Sequence, residues 1–153
     1  MFGMMGETRV NVQAPSGYDY IKIRDSSVWG QQPDVSAIAA RGTHNASVMV
    51  WNYHDNNNTD VPASSVNVTI KGLPSGKVLL HHYRIDEEHS NSYALWKKMG
   101  SPQNPGASQI VELEKAGQLQ LLASPEWTKT TGGEYSIKMQ LPRQGVSLIR
   151  FSG

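Results

Sequence analysis

The sequence predicts a mainly β fold, an antiparallel β-sandwich with a short two-helix insertion. Three observations carry this prediction. Short segments of period-two or continuous apolar character recur between turn residues, at the spacing of an antiparallel sandwich or barrel. The stretches between them are rich in Gly, Pro, Asn and Asp, the residues whose backbone preferences make turns. One long connection breaks the strand rhythm with two helical patterns that carry their own start and stop signals. With 153 residues, 38% of them hydrophobic, and four Trp, the chain is long enough to bury one core, and residues 1–153 read as a single domain.

Taken in order, the candidate strands are residues 20–24, 46–53, 66–71, 77–85, 118–122, 134–141 and 146–151. Residues 33–40, PDVSAIAA, fit a short helical turn or a strand equally well. In YSIKMQL the residues Tyr135, Ile137, Met139 and Leu141 fall on one face and Ser136, Lys138 and Gln140 on the other, as a half-buried strand requires. SVMVWNY is apolar on both faces, which predicts a central strand covered on both sides, with Trp51 in the core. The polar run at residues 55–60, the LPSG at 73–76 and the TGG at 131–133 supply turns between strands.

The long connection holds the insertion, residues 86–117. Ser90 or Asn91 is placed to cap a helix in which Tyr93, Trp96 and Met99 share a face, with Gly100 as its stop and Pro102 just beyond. That face is expected to be buried. A second helix over residues 108–116 would turn Ile110 and Leu113 inward and Gln109, Glu112 and Glu114 outward, with Gly117 just past its end. No internal repeat occurs, and no low-complexity tract beyond the Asn run.

Composition excludes several functions. A net charge of +1 with 18% charged residues gives no electrostatic footprint for nucleic acid or an anionic membrane surface, so neither is expected as a partner. The absence of cysteine removes disulfides, thiolate metal sites and cysteine nucleophiles. No run approaches the ~18 apolar residues of a membrane helix, and MFGMMGETRV lacks the basic and apolar regions of a signal peptide. Sequons at Asn45, Asn57 and Asn67 matter only in a eukaryotic secretory pathway.

The densest chemistry lies in HHYRIDEEHSNSYALWKKMGSPQNP, residues 81–105, where three of the five histidines neighbour Asp86, Glu87 and Glu88. A metal site is disfavoured because adjacent strand residues point to opposite faces, which separates His81 from His82. The H-E-x-x-H spacing is also missing. Glu87 and Glu88 diverge as sequence neighbours, so they make a poor acid/base pair. Acidic residues just before a helix have a plainer use, complementing its N-terminal dipole. No G-x-S-x-G elbow, P-loop or G-x-G-x-x-G cradle is present. Neither metal nor cofactor is expected. Trp29 and Trp127 sit in loop-like settings near proline and are candidates for stacking on a sugar.

Five segments in order carry a family resemblance: VWNYHD at 50–55, IKGLPSG at 70–76, the 81–105 stretch, LEKAGQLQLLASPEW at 113–127 and LPRQGVSLIRF at 141–151. Together they resemble the C-terminal part of glycoside hydrolase family 39 β-xylosidases over nearly the whole chain. More distantly they are similar to the matching region of α-L-iduronidase. The resemblance implies a β-sandwich with a small helical insertion that follows a catalytic (β/α)8 barrel, with residues 1–10 as the tail of the last barrel helix. It also implies a retaining mechanism using two barrel glutamates, one of them directly after an asparagine. This sequence contains no Asn-Glu dipeptide, so neither catalytic role carries over to any residue here.

The first expectation is therefore a non-catalytic accessory domain that packs on the barrel of a xylan-degrading enzyme, whether the barrel lies in the same or a separate chain. Its candidate carbohydrate or domain-contact residues are Trp29, His89, Tyr93, Trp96 and Trp127. Phe2, Met4 and Met5 are further candidates for a sticky face that would drive homo-oligomer formation. A free-standing carbohydrate-binding module that takes xylo-oligosaccharides is the second reading, and one half of a split xylosidase the third. A bacterial cytoplasmic or periplasmic location is the corresponding expectation.

Overall fold

The computed structural model describes residues 1–25, 34–56 and 61–153. After a 3-10 turn at Phe2–Met4 the chain forms β1 (Thr8–Val10), α1 (Tyr20–Asp25), β2 (Asp34–Arg41), β3 (Asn45–Tyr53), β4 (Ser64–Lys71) and β5 (Gly76–Ile85). Helices α2 (Ser92–Lys98) and α3 (Ala107–Gly117) follow, then β6 (Gln120–Leu121), β7 (Glu126–Thr130), β8 (Glu134–Leu141) and β9 (Val146–Ser152).

The strands assemble into two antiparallel sheets. The larger runs β1-β2-β3-β9-β5-β6, and β7 also lies on β5. Strand β6 takes Tyr83 and Arg84 while β7 takes the five residues from Gly76 to Leu80, so the two short strands share one edge of β5. The smaller sheet is the ribbon β4–β8, in register from Ser64 opposite Leu141 to Lys71 opposite Glu134. Alternation explains how the two sheets meet. Val66, Val68 and Ile70 of β4 and Tyr135, Ile137, Met139 and Leu141 of β8 all point inward. They pack against Ala39, Val48 and Val50 at one end of the large sheet and Val78, Leu80, Ile149 and Phe151 at the other. Tyr135 meets the Phe151 ring edge-on at 5.4 Å between centroids. The architecture is an antiparallel β-sandwich carrying a two-helix insertion.

Strand β3 is central, as SVMVWNY predicts, with Val48 and Val50 buried on the inner face and Ser47 and Met49 on the outer. Trp51 lies on the outer face, half-buried, with its indole N–H 3.4 Å from Asp34 Oδ2. In the turn between β7 and β8, Gly133 has φ +72°, and a Cβ there would stand 2.8 Å from the Leu73 carbonyl oxygen. Only glycine combines that conformation with that approach.

Several local expectations change. Residues 20–24, read as a strand, form α1, whose first bond runs from the Ile23 N–H to the Asp19 carbonyl. Two isoleucines two apart do not separate strand from helix over so short a run, and here both Ile21 and Ile23 face solvent. Of residues 33–40, open between helix and strand, those from Asp34 on form β2, and Pro33 lies outside the described residues. The first ten residues, expected as the end of a barrel helix, supply the 3-10 turn and β1, which pairs with residues 39–41 of β2. Trp127, placed in a loop, stands in β7.

Helix α2 begins as expected, with the Ala94 N–H donating to the Asn91 Oδ1 cap at 3.0 Å. Gly100 follows its end at φ +87°. Gly117, however, is still helical and the cap is an extended Gln118. A Cβ at position 117 would meet Ser92 of α2 at 3.5 Å, an ordinary contact. Ile110, expected inward, is exposed, because α3 buries none of its residues.

Candidate functional site

The 81–91 stretch leaves β5 and turns into α2, and strand alternation sorts its side chains. His81 and Tyr83 share the outer face, their rings nearly parallel at 4° with centroids 6.1 Å apart. His82 and Arg84 point inward, the latter opposite Ser147 of β9 in register. The two neighbouring histidines therefore cannot meet at one ion. Among the described residues no group of three His, Asp or Glu side chains converges as a metal site would require.

Arg84 is buried and organises what surrounds it. Its Nε donates to Ser147 Oγ at 2.9 Å, Nη1 to Asp86 Oδ2 at 3.3 Å and Nη2 to the Gln140 carbonyl at 3.2 Å. His82 Nε2 lies 2.9 Å from the same Ser147 hydroxyl. Because an arginine only donates, Ser147 accepts from Arg84, and the direction of its bond to His82 follows the tautomer of the ring. Burial, reinforced by the Arg84 charge, pushes the His82 pKa down to about 4.

Asp86 closes the turn. Its Oδ1 accepts from the His89 ring at 2.8 Å and from the backbone N–H groups of Glu88 and His89 at 2.9 and 2.8 Å. Burial raises the carboxyl pKa, but the His89 ring and these backbone donors outweigh it and hold Asp86 below the usual carboxylate range. Glu87 and Glu88 remain exposed. The acidic run thus divides. Asp86 staples the turn rather than simply lending charge to a helix end. Ser90, in the left-handed region at φ 55°, bridges the Arg84 carbonyl and the Gln120 N–H at 2.7 and 2.8 Å.

The five candidate residues separate. Trp29 lies outside the described residues. His89 has Nδ1 committed to Asp86 and its side chain 27% exposed. Tyr93 and Trp96 come together one turn into α2, with centroids 5.6 Å apart and Lys97 Nζ 4.9 Å from the Tyr93 ring centre. Tyr93 nevertheless faces solvent, contrary to the expected buried face, while Trp96 is half-buried and donates to the Pro102 carbonyl at 3.0 Å. Trp127 projects from β7 opposite Leu79, is 65% exposed, and stacks on no ring among the described residues.

Arg84 and Ser147, which organise the network, were not singled out by sequence. They are 63 positions apart and only strand register brings them together. An open cleft of about 560 Å³ lies between β1, β2 and the residues that follow β1, lined by Arg9, Val12, Tyr18, Asp19 and Ser36 among others. Asp19 is the only carboxylate among its described lining residues, so they offer no acid/base pair of the kind glycoside hydrolysis uses.

The fold recurs in solved enzymes. A family 39 enzyme from Xanthomonas axonopodis pv. citri superposes with a TM-score of 0.65 at 16% identity, over 76% of this chain and 25% of the other. A monomeric β-xylosidase from Caulobacter crescentus CB15 gives 0.62 at 20% identity, over 76% and 26%. A bacterial orthologue of human α-L-iduronidase gives 0.62 at 19%, over 79% and 22%. The chain thus spans about a quarter of the length of these proteins. No curated protein matches the sequence. At sequence level, the model of the glycosyl hydrolases family 39 matches residues 8–132, a span that takes in the cleft, Arg84 with Asp86 and both helices of the insertion, and on that match the chain belongs to glycosyl hydrolases family 39.

Proposed function

We propose that this chain is a non-catalytic accessory domain of a β-xylosidase-like glycoside hydrolase, with catalysis supplied by a (β/α)8 barrel in the same or another polypeptide. The observation that carries this reading is coverage: a sandwich with its own closed core corresponds to only about a quarter of the solved family enzymes. Electrostatics support it. Asp86 is fully engaged by its neighbours, and Glu87 and Glu88 stand exposed in the turn rather than facing each other across a cleft. The exposed Phe2, Ile110 and Val111 offer apolar surface of the kind an inter-domain or homo-oligomer contact covers.

The test is direct. Purified chain incubated with an aryl β-xyloside should release no phenol above the buffer rate. Turnover that disappears in Glu87→Ala or Glu88→Ala would overturn the reading. Light scattering across concentration tests the contact surface, and a strictly monomeric species at every concentration would count against it.

A further inference from the structure

We propose that the outer face of the larger sheet, where β7, β5 and β9 lie side by side, binds an acidic saccharide, with Trp127 as stacking platform and Arg150 as carboxylate partner. This role is independent of the accessory one.

Register places the residues. Directly paired residues of an antiparallel sheet share a face, and diagonal neighbours stand about 7–8 Å apart. Trp127 is opposite Leu79, His81 is the next outer residue along β5, and Arg150 is opposite His81. Tyr83 follows on the same face, its ring stacked nearly parallel to that of His81. The exposed indole on the edge strand is the flat apolar surface of this face. Such a surface suits the C–H face of a pyranose, which is apolar and flat while its rim is polar.

Charge selects among sugars. Arg84, on the inner face, engages three partners. Arg150, on the outer face, has no ion pair or side-chain hydrogen bond with any described residue, and its Nε is shielded from solvent without an acceptor. His81 Nδ1 beside it likewise has no hydrogen-bond partner among the described residues. Lys77 and Lys129 lie opposite each other on this face, flanking Trp127, although like charges in direct register are unfavourable. No Asp or Glu occupies an outer position of β5, β7 or β9. A planar guanidinium left unpaired matches a carboxylate with two parallel hydrogen bonds. A uronate supplies the ring face and the carboxylate in one residue.

The experiment titrates the intact chain by calorimetry with a xylo-oligosaccharide bearing glucuronic acid, and with the same backbone undecorated, at low and high salt. The acidic ligand should bind saturably, at least about tenfold tighter than the neutral one, and weaken as salt rises. Trp127→Ala should abolish binding of both. Lys129→Gln, at an exposed position that leaves the core untouched, and Arg150→Met should each erode the preference for the acid. Absence of saturable binding, equal affinity for the two ligands, or unchanged binding in Trp127→Ala would overturn the assignment. So would self-association of the chain lost in Trp127→Ala, which would mark the face as a protein contact. Xyloside turnover reads the accessory role separately, so either proposal can fail alone.

Discussion

His82 should make the domain lose stability between neutral pH and about pH 4. The ring is largely buried and shares the Ser147 hydroxyl with Arg84, so a proton added to it would set a second cation near Arg84 in a poorly solvated place. The folded-state pKa falls from 6.5 to about 4. In this interval the unfolded chain binds a proton that the folded chain refuses, so stability rises with pH from about 4 to about 6.5 and is lost in the reverse direction. At about 1.36 kcal/mol per pH unit the full effect would be about 3.4 kcal/mol. The ring is only partly enclosed, and solvent screening reduces this to about 1–2 kcal/mol. Urea unfolding at half-unit steps from pH 7.5 to 4.5, for the protein and for His82→Asn, isolates the contribution, since other titrating groups cancel in the difference. The wild-type midpoint should fall more steeply than the variant's below pH 6.5. Parallel curves, or a wild-type midpoint that rises toward acid, would refute a neutral His82 held by burial beside Arg84.

Three further substitutions test other parts of the fold. Leu141→Ala removes a side chain with no exposed surface from the interface of the two sheets and should lower unfolding free energy by about 2–5 kcal/mol, measured by urea midpoint at unchanged slope. Gly133→Ala should cost more than about 1 kcal/mol, because φ is positive and the new Cβ meets the Leu73 carbonyl. Gly132→Ala, with open space around it, should cost less, and equal losses would contradict the contact. Asn91→Ala should weaken α2 by about 1 kcal/mol, read as faster amide exchange at Ala94 and its neighbours while exchange in β9 is unchanged.

The fold was legible wherever a physical period persisted over a whole element. Alternation in YSIKMQL gave β8 and its inward residues, and the two-sided apolar run gave β3. Asn91 and Gly100 bounded α2 through rules that act within one turn. Legibility failed where the deciding interaction lay elsewhere in the chain. Gly117 was read as a stop signal, but the helix includes it and ends at an extended Gln118. Ile110 fits an inward helical face by spacing, yet it is exposed, since α3 buries none of its residues. Strand β7 escaped notice because its pattern is mixed and its partner is a strand 50 residues earlier, from Gly76 opposite Thr130 to Leu80 opposite Glu126. Among the site candidates, His89 and Tyr93 were visible as chemical types, but the buried carboxylate that holds one and the solvent that faces the other were not.

The same network explains why the stretch that most resembles an active site serves architecture. From Ser147 in the core, hydrogen bonds run through Arg84 to Asp86, and from Asp86 to the His89 ring and the turn backbone. Asn91 ties back to the Asp86 carbonyl at 3.0 Å while capping α2, and Ser90 links Arg84 to β6. The insertion is thereby tethered to the sandwich at its root. Arg84 and Asp86 are nearly enclosed, with side chains 4% and 8% exposed, and removing one partner of such a pair strands the other at about 3–5 kcal/mol. A general acid in glycoside hydrolysis needs a carboxyl whose pKa is raised toward neutrality and whose proton faces the leaving group. Asp86 has the reverse on both counts: its pKa is lowered, and both oxygens are already occupied, Oδ1 by three donors and Oδ2 by Arg84. A carboxylate held in this way cannot give or take a proton at a substrate without releasing the turn that it maintains.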